Sequence, residues 1–154
     1  MALEVGTKAP DFTVKDQNNQ EVKLSSFRGA RSVLVVFYPF AYSSICTGEL
    51  CSIQEDLDDF QNDDVQILAI STDAPYSLKA WSESQGFDFP LLSDFWPHGE
   101  VAKAYGAFFE PRGMAVRGTF LVDKEGIVRF AELNGPGERR DQDGWRKAVA
   151  ALAA

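Results

Sequence analysis

The chain is short of the side chains that hold structural metals or staple small secreted folds. It has one histidine, His98, and two cysteines, Cys46 and Cys51. These cannot complete the four ligands of a tetrahedral structural zinc, so no metal is expected. Two cysteines are also too few for a disulfide scaffold. No apolar run approaches the ~20 residues of a membrane span, and Met1 to Val5 lacks the basic start and apolar centre of a secretory signal. Basic residues are in the minority, fifteen Lys and Arg against twenty-three Asp and Glu, for a formal charge of −8. A field of that sign repels phosphate backbones, so nucleic acid is not an expected partner. There is no glycine-rich phosphate loop, internal repeat or low-complexity tract, and no cofactor is expected. These absences predict a cytoplasmic protein, free of membrane contact, with its thiols kept reduced.

At 154 residues, 45% hydrophobic and 25% charged, the chain has the balance of one globular domain over residues 1–154 with a single substantial core. Thr13-Val14-Lys15 and Glu21 to Leu24, separated by the turn-rich Asp16 to Gln20, predict an N-terminal hairpin. Ser25 to Gly29 reads as a short helical turn. Ser32 to Tyr38 and Val65 to Ser71 are apolar at nearly every position, as in strands covered on both faces. Leu50, Ile53, Leu57 and Phe60 recur at spacings of three or four, predicting an amphipathic helix from Cys46 to the stop at Asn62-Asp63-Asp64. A second helix is expected over Ser77 to Ser84, a short strand over Phe89 to Leu92, and a helical piece over Glu100 to Tyr105. Thr119 to Val122 and Ile127 to Phe130 predict a hairpin, and Asp143 to Leu152 a final helix. Strands alternating with helices make a mixed α/β sheet with helices on both faces. Trp81 and Phe89 read as core, and His98 as a loop residue.

Chemistry concentrates in Pro39-Phe40-Ala41-Tyr42-Ser43-Ser44-Ile45-Cys46. A buried strand ends at a proline, a hydroxyl stands three positions before a cysteine, and helix follows. A cysteine at a helix N-terminus meets unpaired backbone N–H groups and the positive end of the macrodipole, which favour a thiolate. Ser43 can aim its hydroxyl at whatever that thiolate attacks, or cap the helix. Taken singly, Pro39 reads equally well as a strand terminator; a solvated charge for Arg117 and a small core residue for Cys46 are the lesser alternatives. Glu49 has two open roles, orienting Arg117 or favouring the first helical turn.

The spacing Pro39, Ser43, Cys46 resembles the active-site signature of the peroxiredoxins, Pro-x-x-x-(Thr/Ser)-x-x-Cys. The resemblance extends over most of the chain, through Ala9 to Val14, Val33 to Phe40, Leu92-Ser93-Asp94 and Arg117 to Asp123. Serine stands at position 43 where threonine is commoner. This resemblance implies a thioredoxin-like fold with an N-terminal hairpin extension. It also implies a thiol-dependent peroxidase acting on hydrogen peroxide and organic hydroperoxides. Cys46 would be the peroxidatic thiolate, oxidised to sulfenic acid. Ser43, nearby backbone N–H groups and Arg117 would stabilise charge on the peroxide oxygens, and Pro39 would wall the pocket from water.

Two subfamilies leave traces. Asp16-Gln17-Asn18, Gly48-Glu49-Leu50, Phe87 to Gly99 and Arg139 to Gln142 resemble the alkyl hydroperoxide reductase E type, which generally relies on one cysteine. The C-x4-C pair of Cys46 and Cys51 resembles the Q type (bacterioferritin comigratory protein-like), whose resolving cysteine has this spacing. The Q-type resemblance implies an intramolecular Cys46–Cys51 disulfide, the expectation carried forward. In a regular helix these Cα atoms would stand roughly 8 to 9 Å apart. Disulfides rarely exceed about 7 Å, so pairing requires local unwinding. The alternative is Cys51 as a packing residue, with an external thiol resolving Cys46. The implied reductants are a thioredoxin-like protein, a glutaredoxin-like (mycoredoxin-type) protein or a small thiol. E-type resemblance implies a homodimer, and Q-type resemblance a monomer. A thiol–disulfide carrier lacks its C-x-x-C here and has no need of Pro39, Ser43 and Arg117. A non-enzymatic redox sensor or binding module is the remaining alternative.

Overall fold

The computed structural model describes residues 3–135 and 140–153. In chain order, β1 (Thr13–Lys15) and β2 (Glu21–Lys23) form the N-terminal hairpin, and Leu24–Phe27 adds a 3-10 turn. Strand β3 (Ser32–Phe37) leads through a loop into α1 (Ser44–Glu55) and the single turn α2 (Leu57–Phe60). Next come β4 (Val65–Ser71), α3 (Pro75–Gln85), β5 (Leu91–Ser93) and α4 (Glu100–Ala104). A small hairpin of β6 (Phe108–Phe109) and β7 (Met114–Ala115) precedes β8 (Arg117–Val122), β9 (Val128–Asn134) and α5 (Gln142–Ala153).

The β-branched runs expected to be covered on both faces are buried at every position of β3 and β4. These strands pair in parallel, Ser32 opposite Val65 and Phe37 opposite Ile70. The seven-stranded sheet runs β2-β1-β5-β4-β3-β8-β9, with β5 parallel to β4 and with β8 and β9 antiparallel. Alternation along the strands gives each face its own core. Leu34, Val36, Ile67, Ala69 and Leu121 meet α1, α3 and α5 through Leu50, Ile53, Leu78, Trp81 and Trp145. Val33, Val35, Phe37, Leu68, Ile70 and Phe120 meet Val101 and Ala102 of α4, together with Tyr105.

The structure amends several expected elements. The helix read from Cys46 to Phe60 begins at Ser44 and breaks at Asp56, whose φ of −113° and ψ of 32° are not helical. The short strand starts at Leu91, after Pro90, which has no N–H to give to a ladder. The β6–β7 hairpin was not anticipated, because two-residue strands are too short to show a period. Trp81 and Phe89 are fully buried, as expected of core. The resemblance quoted over Arg139 falls outside the described residues.

Candidate active site

Strand β3 runs out at Phe37, and the buried Tyr38 and Pro39 carry the chain past its C-terminal end. The loop reaches α1 through Tyr42, whose φ of 70° is left-handed. For a non-glycine residue that conformation costs about 1–3 kcal/mol and persists only where its surroundings fix it. Here Asp73 supplies part of that fixing. Its carboxylate accepts from the backbone N–H of Ala41 at 2.8 Å and from the Ser71 hydroxyl at 2.7 Å.

Cys46 is the third residue of α1, inside the first turn and fully buried. Ser43 occupies the N-cap position without a side-chain cap. Its hydroxyl donates to the Phe40 carbonyl at 3.1 Å, while its own carbonyl accepts from the backbone and hydroxyl of Thr47. The loop therefore folds over the helix start with Pro39 buried behind it and Phe40 and Tyr42 exposed on its outer side.

From the opposite strand, Arg117 opens β8 and is almost wholly buried. Its Nη2 donates to Cys46 Sγ at 3.3 Å and its Nη1 to Glu49 Oε1 at 2.6 Å. Glu49, one turn after Cys46 on the same helix face, is 2% exposed and also receives Arg140. Arg140 donates to it from the backbone N–H at 2.9 Å, Nε at 3.2 Å and Nη2 at 2.8 Å. The remaining guanidinium nitrogen of Arg140 reaches the Phe37 and Gly118 carbonyls, locking the ion pair to β3 and β8.

Burial alone would raise the Glu49 carboxyl. The bonds and charge of Arg140, and then the charge of Arg117, outweigh it and hold the carboxyl below its ordinary value of 4.5. Burial pulls Arg140 below the usual guanidinium range, with Glu49 pulling back. A guanidinium nonetheless stays charged in a protein. Among the described residues, two buried cations thus share the Glu49 carboxylate, and Arg117 also presents its guanidinium to Sγ. A cation there favours an anion at the sulfur, or on an oxygen departing from it.

Of the residues singled out from sequence, Cys46, Glu49 and Arg117 are in direct contact, and Pro39 and Ser43 form the loop beside them. Cys51 stands apart. It is half-buried one turn further along α1, with its Sγ donating to Gln85 Oε1 at 3.6 Å, and both cysteines are free thiols. His98 contacts the Gly113 carbonyl at 2.6 Å and the Phe108 ring, away from the cysteine. Sequence reading missed Arg140 and Asp73. The signal for Asp73 was its place just past the end of a buried parallel strand, where α/β sheets set their sites. Arg140 lay in a segment already noted for its resemblance but without a role. Among the described residues no cluster of His, Cys, Asp and Glu could hold a metal ion.

The chain is similar to known proteins over nearly its whole length. Residues 5–131 match the AhpC/TSA family. Alkyl hydroperoxide reductase E of Mycobacterium tuberculosis is 56% identical over 152 residues, covering 99% of both chains. The chloroplastic 2-Cys peroxiredoxin of Hordeum vulgare is 31% identical over 158 residues, covering 96% of this chain and 74% of its own. Among solved structures, AhpC of Enterococcus faecalis superposes with a TM-score of 0.88 at 29% identity, covering 99% of this chain and 93% of its own. The reduced 2-Cys peroxiredoxin of Plasmodium vivax gives 0.87 at 28%, covering 98% and 82%. With the mixed sheet and its two helical layers, these likenesses give a thioredoxin-like α/β fold.

Proposed function

Because the chain belongs to the AhpC/TSA family, as a peroxiredoxin of the alkyl hydroperoxide reductase E type and a thiol-dependent peroxidase, we propose that Cys46 is its peroxidatic residue. We further propose that Arg117, Ser43 and Pro39 complete the catalytic set, with Glu49 fixing Arg117. One observation carries this reading: a buried sulfur at a helix N-terminus accepts a hydrogen bond from an equally buried guanidinium at 3.3 Å. The thiolate of Cys46 attacks the terminal oxygen of a hydroperoxide, an S–O bond forms and the O–O bond breaks. The sulfur becomes a sulfenic acid, and the departing oxyanion takes a proton to leave as water or an alcohol. Charge grows on that oxygen, and Arg117 is placed to meet it at no cost in reorganisation. The Ser43 hydroxyl donates to the Phe40 carbonyl and would turn from it to meet a bound peroxide.

Cys51 is proposed to resolve the sulfenic acid. Its thiolate attacks the Cys46 sulfur, a disulfide forms and hydroxide leaves as water. A thioredoxin-like or glutaredoxin-like protein, or a small thiol, then supplies two electrons to restore both thiols. Support comes from the C-x4-C spacing and from Cys51 lying on the same helix, close enough to reach once a turn unwinds. Five exposed aromatics, Phe40, Tyr42, Tyr76, Phe95 and Trp96, follow the ends of β3, β4 and β5 and so gather at the catalytic end of the sheet. A patch of that kind fits a homodimer with the catalytic loops at its interface. The cytoplasm, which keeps thiols reduced, suits this cycle.

Mass, free-thiol count and peptide mapping after one equivalent of peroxide test the cysteine assignments. The expected result is loss of both thiols and a cross-linked peptide joining Cys46 to Cys51. A sulfenic acid at Cys46 with Cys51 still free would leave the peroxidatic assignment standing and remove the resolving one. Oxidation elsewhere with Cys46 untouched would remove both.

A further inference from the structure

The second half of α1 is pinned where the sequence gives no hint of a pin. Gln54, three residues past Cys51, donates from Nε2 to Asp88 Oδ2 at 3.0 Å and accepts from the backbone N–H of Asp88 at 2.7 Å. Gln61, just past α2, donates to the Asp88 carbonyl at 3.2 Å. Asp88 therefore receives or gives three hydrogen bonds to the α1–α2 arm. It stands between Phe87 and Phe89, both buried, so the loop that holds it is anchored in the core. Three residues upstream, at the last position of α3, Gln85 accepts the Cys51 thiol.

Resolution of Cys46 by Cys51 requires the backbone between them to leave the helix, since i and i+5 positions of a regular helix stand roughly 8 to 9 Å apart. Opening of that kind starts most easily from a free helix end. The end nearer Cys51 is not free. Its last turn is clasped side chain to side chain and side chain to backbone by a core-anchored residue, while the N-terminal turn around Cys46 carries Gly48, a weak helix former.

We propose that Gln54 and Asp88 are positioning residues that set how readily α1 opens around Cys51, and thereby the rate at which the sulfenic acid of Cys46 is captured. This rests on the resolving role proposed for Cys51. The hydrogen bonds of the clasp run between α1–α2 and the Asp88 loop and include neither Cys46 nor Arg117, so it leaves the peroxide step alone and acts on the step after it. A tight clasp holds the peroxide-reactive fold and lengthens the life of the sulfenic acid; a loosened one shortens it.

The experiment compares the reduced wild type with Gln54→Ala, Asp88→Ala and Asp88→Asn. Asparagine keeps an acceptor oxygen for Gln54 and serves as the conservative control. In Gln54→Ala, amide exchange over residues 50–55 and alkylation of Cys51 should rise roughly three- to tenfold, the scale of losing two partly exposed hydrogen bonds. After stoichiometric peroxide the Cys46–Cys51 disulfide should form faster by a similar factor, while the rate of Cys46 oxidation stays at the wild-type value. Asp88→Ala should fall between Gln54→Ala and the wild type, and Asp88→Asn should match the wild type. Unchanged exchange in Gln54→Ala, or faster exchange with unchanged disulfide formation, overturns the proposal. A wild type that forms no Cys46–Cys51 disulfide disproves the resolving role itself, and the exchange and alkylation rates then decide separately whether the clasp governs opening.

Discussion

At the scale of single residues, the site is one sulfur held in a ring of buried charge. Arg117 links its two halves, giving one nitrogen to Cys46 and another to Glu49. Arg117→Ala should slow oxidation by peroxide on the order of a hundredfold, the usual cost of losing one preorganised donor of about 3 kcal/mol. Stopped-flow tryptophan fluorescence checks this, and an unchanged rate would make Arg117 structural only. Glu49→Gln should destabilise the fold by about 3–5 kcal/mol, since Arg140 would stay buried without its counter-charge. The folded Glu49 carboxyl titrates below its unfolded value. Its stabilisation is therefore complete above about 4.5 and is lost as pH falls through the lower, folded value. Asp11 and Asp123, whose bonds outweigh their burial, trend the same way, and Asp94, pushed up by burial, opposes them. Thermal melts from roughly pH 7 down to pH 3 should fall steeply for the wild type and less so for Glu49→Gln. Equal slopes would contradict this. Cys46, Ser43 and Pro39 were legible because a fixed spacing followed a buried strand, and Arg117 because it precedes Gly118-Thr119-Phe120 in a run that resembles the family. Arg140 was not, since one arginine in a polar stretch looks the same whether it is solvated or driven into an ion pair by distant strands.

At the scale of elements, α1 carries both cysteines and so has two demands on it. Its first turn must be intact to hold Cys46 against Arg117, and the stretch beyond must open if Cys51 is to reach Cys46. Removing the partner shows which demand dominates. Cys51→Ser should accumulate sulfenic acid and convert more readily to sulfinic acid at high peroxide, as nothing nearby captures Cys46. Intact-mass measurement across a peroxide titration reads this directly. Sulfinic acid appearing at the same peroxide excess in mutant and wild type would make Cys51 a packing residue. The helical period located α1 but hid its end. Leu57 and Phe60 continue the spacing of Leu50 and Ile53, so the break at Asp56 costs no apolar contact and leaves no mark on the pattern. What the sequence could not display is the partner across the gap: Arg146 of α5 bonds Asp56 at 2.7 Å and Asp59 at 2.9 Å, tying α2 to the final helix.

For the whole molecule, the parallel strands β3, β4 and β5 all end at the face where the cysteine loop, Asp73 and the exposed aromatics lie. The mixed sheet and its two helical layers were readable from alternating buried runs and amphipathic periods. The convergence was not, because it is set by strand order, which pattern alone does not reveal. If that end is a dimer interface, Trp96→Arg should weaken self-association by at least tenfold, the scale of losing a buried aromatic anchor. Sedimentation of wild type and mutant would test it, and a wild-type monomer at micromolar concentration would refute the interface. The claim on which all of this depends is that Cys46 is the atom that meets the peroxide. Rapid mixing of wild type and Cys46→Ser with peroxide, with consumption followed directly and circular dichroism confirming the fold, tests it most plainly. The account predicts fast second-order consumption by the wild type and none above background by a folded Cys46→Ser; near-normal consumption by that mutant would contradict it.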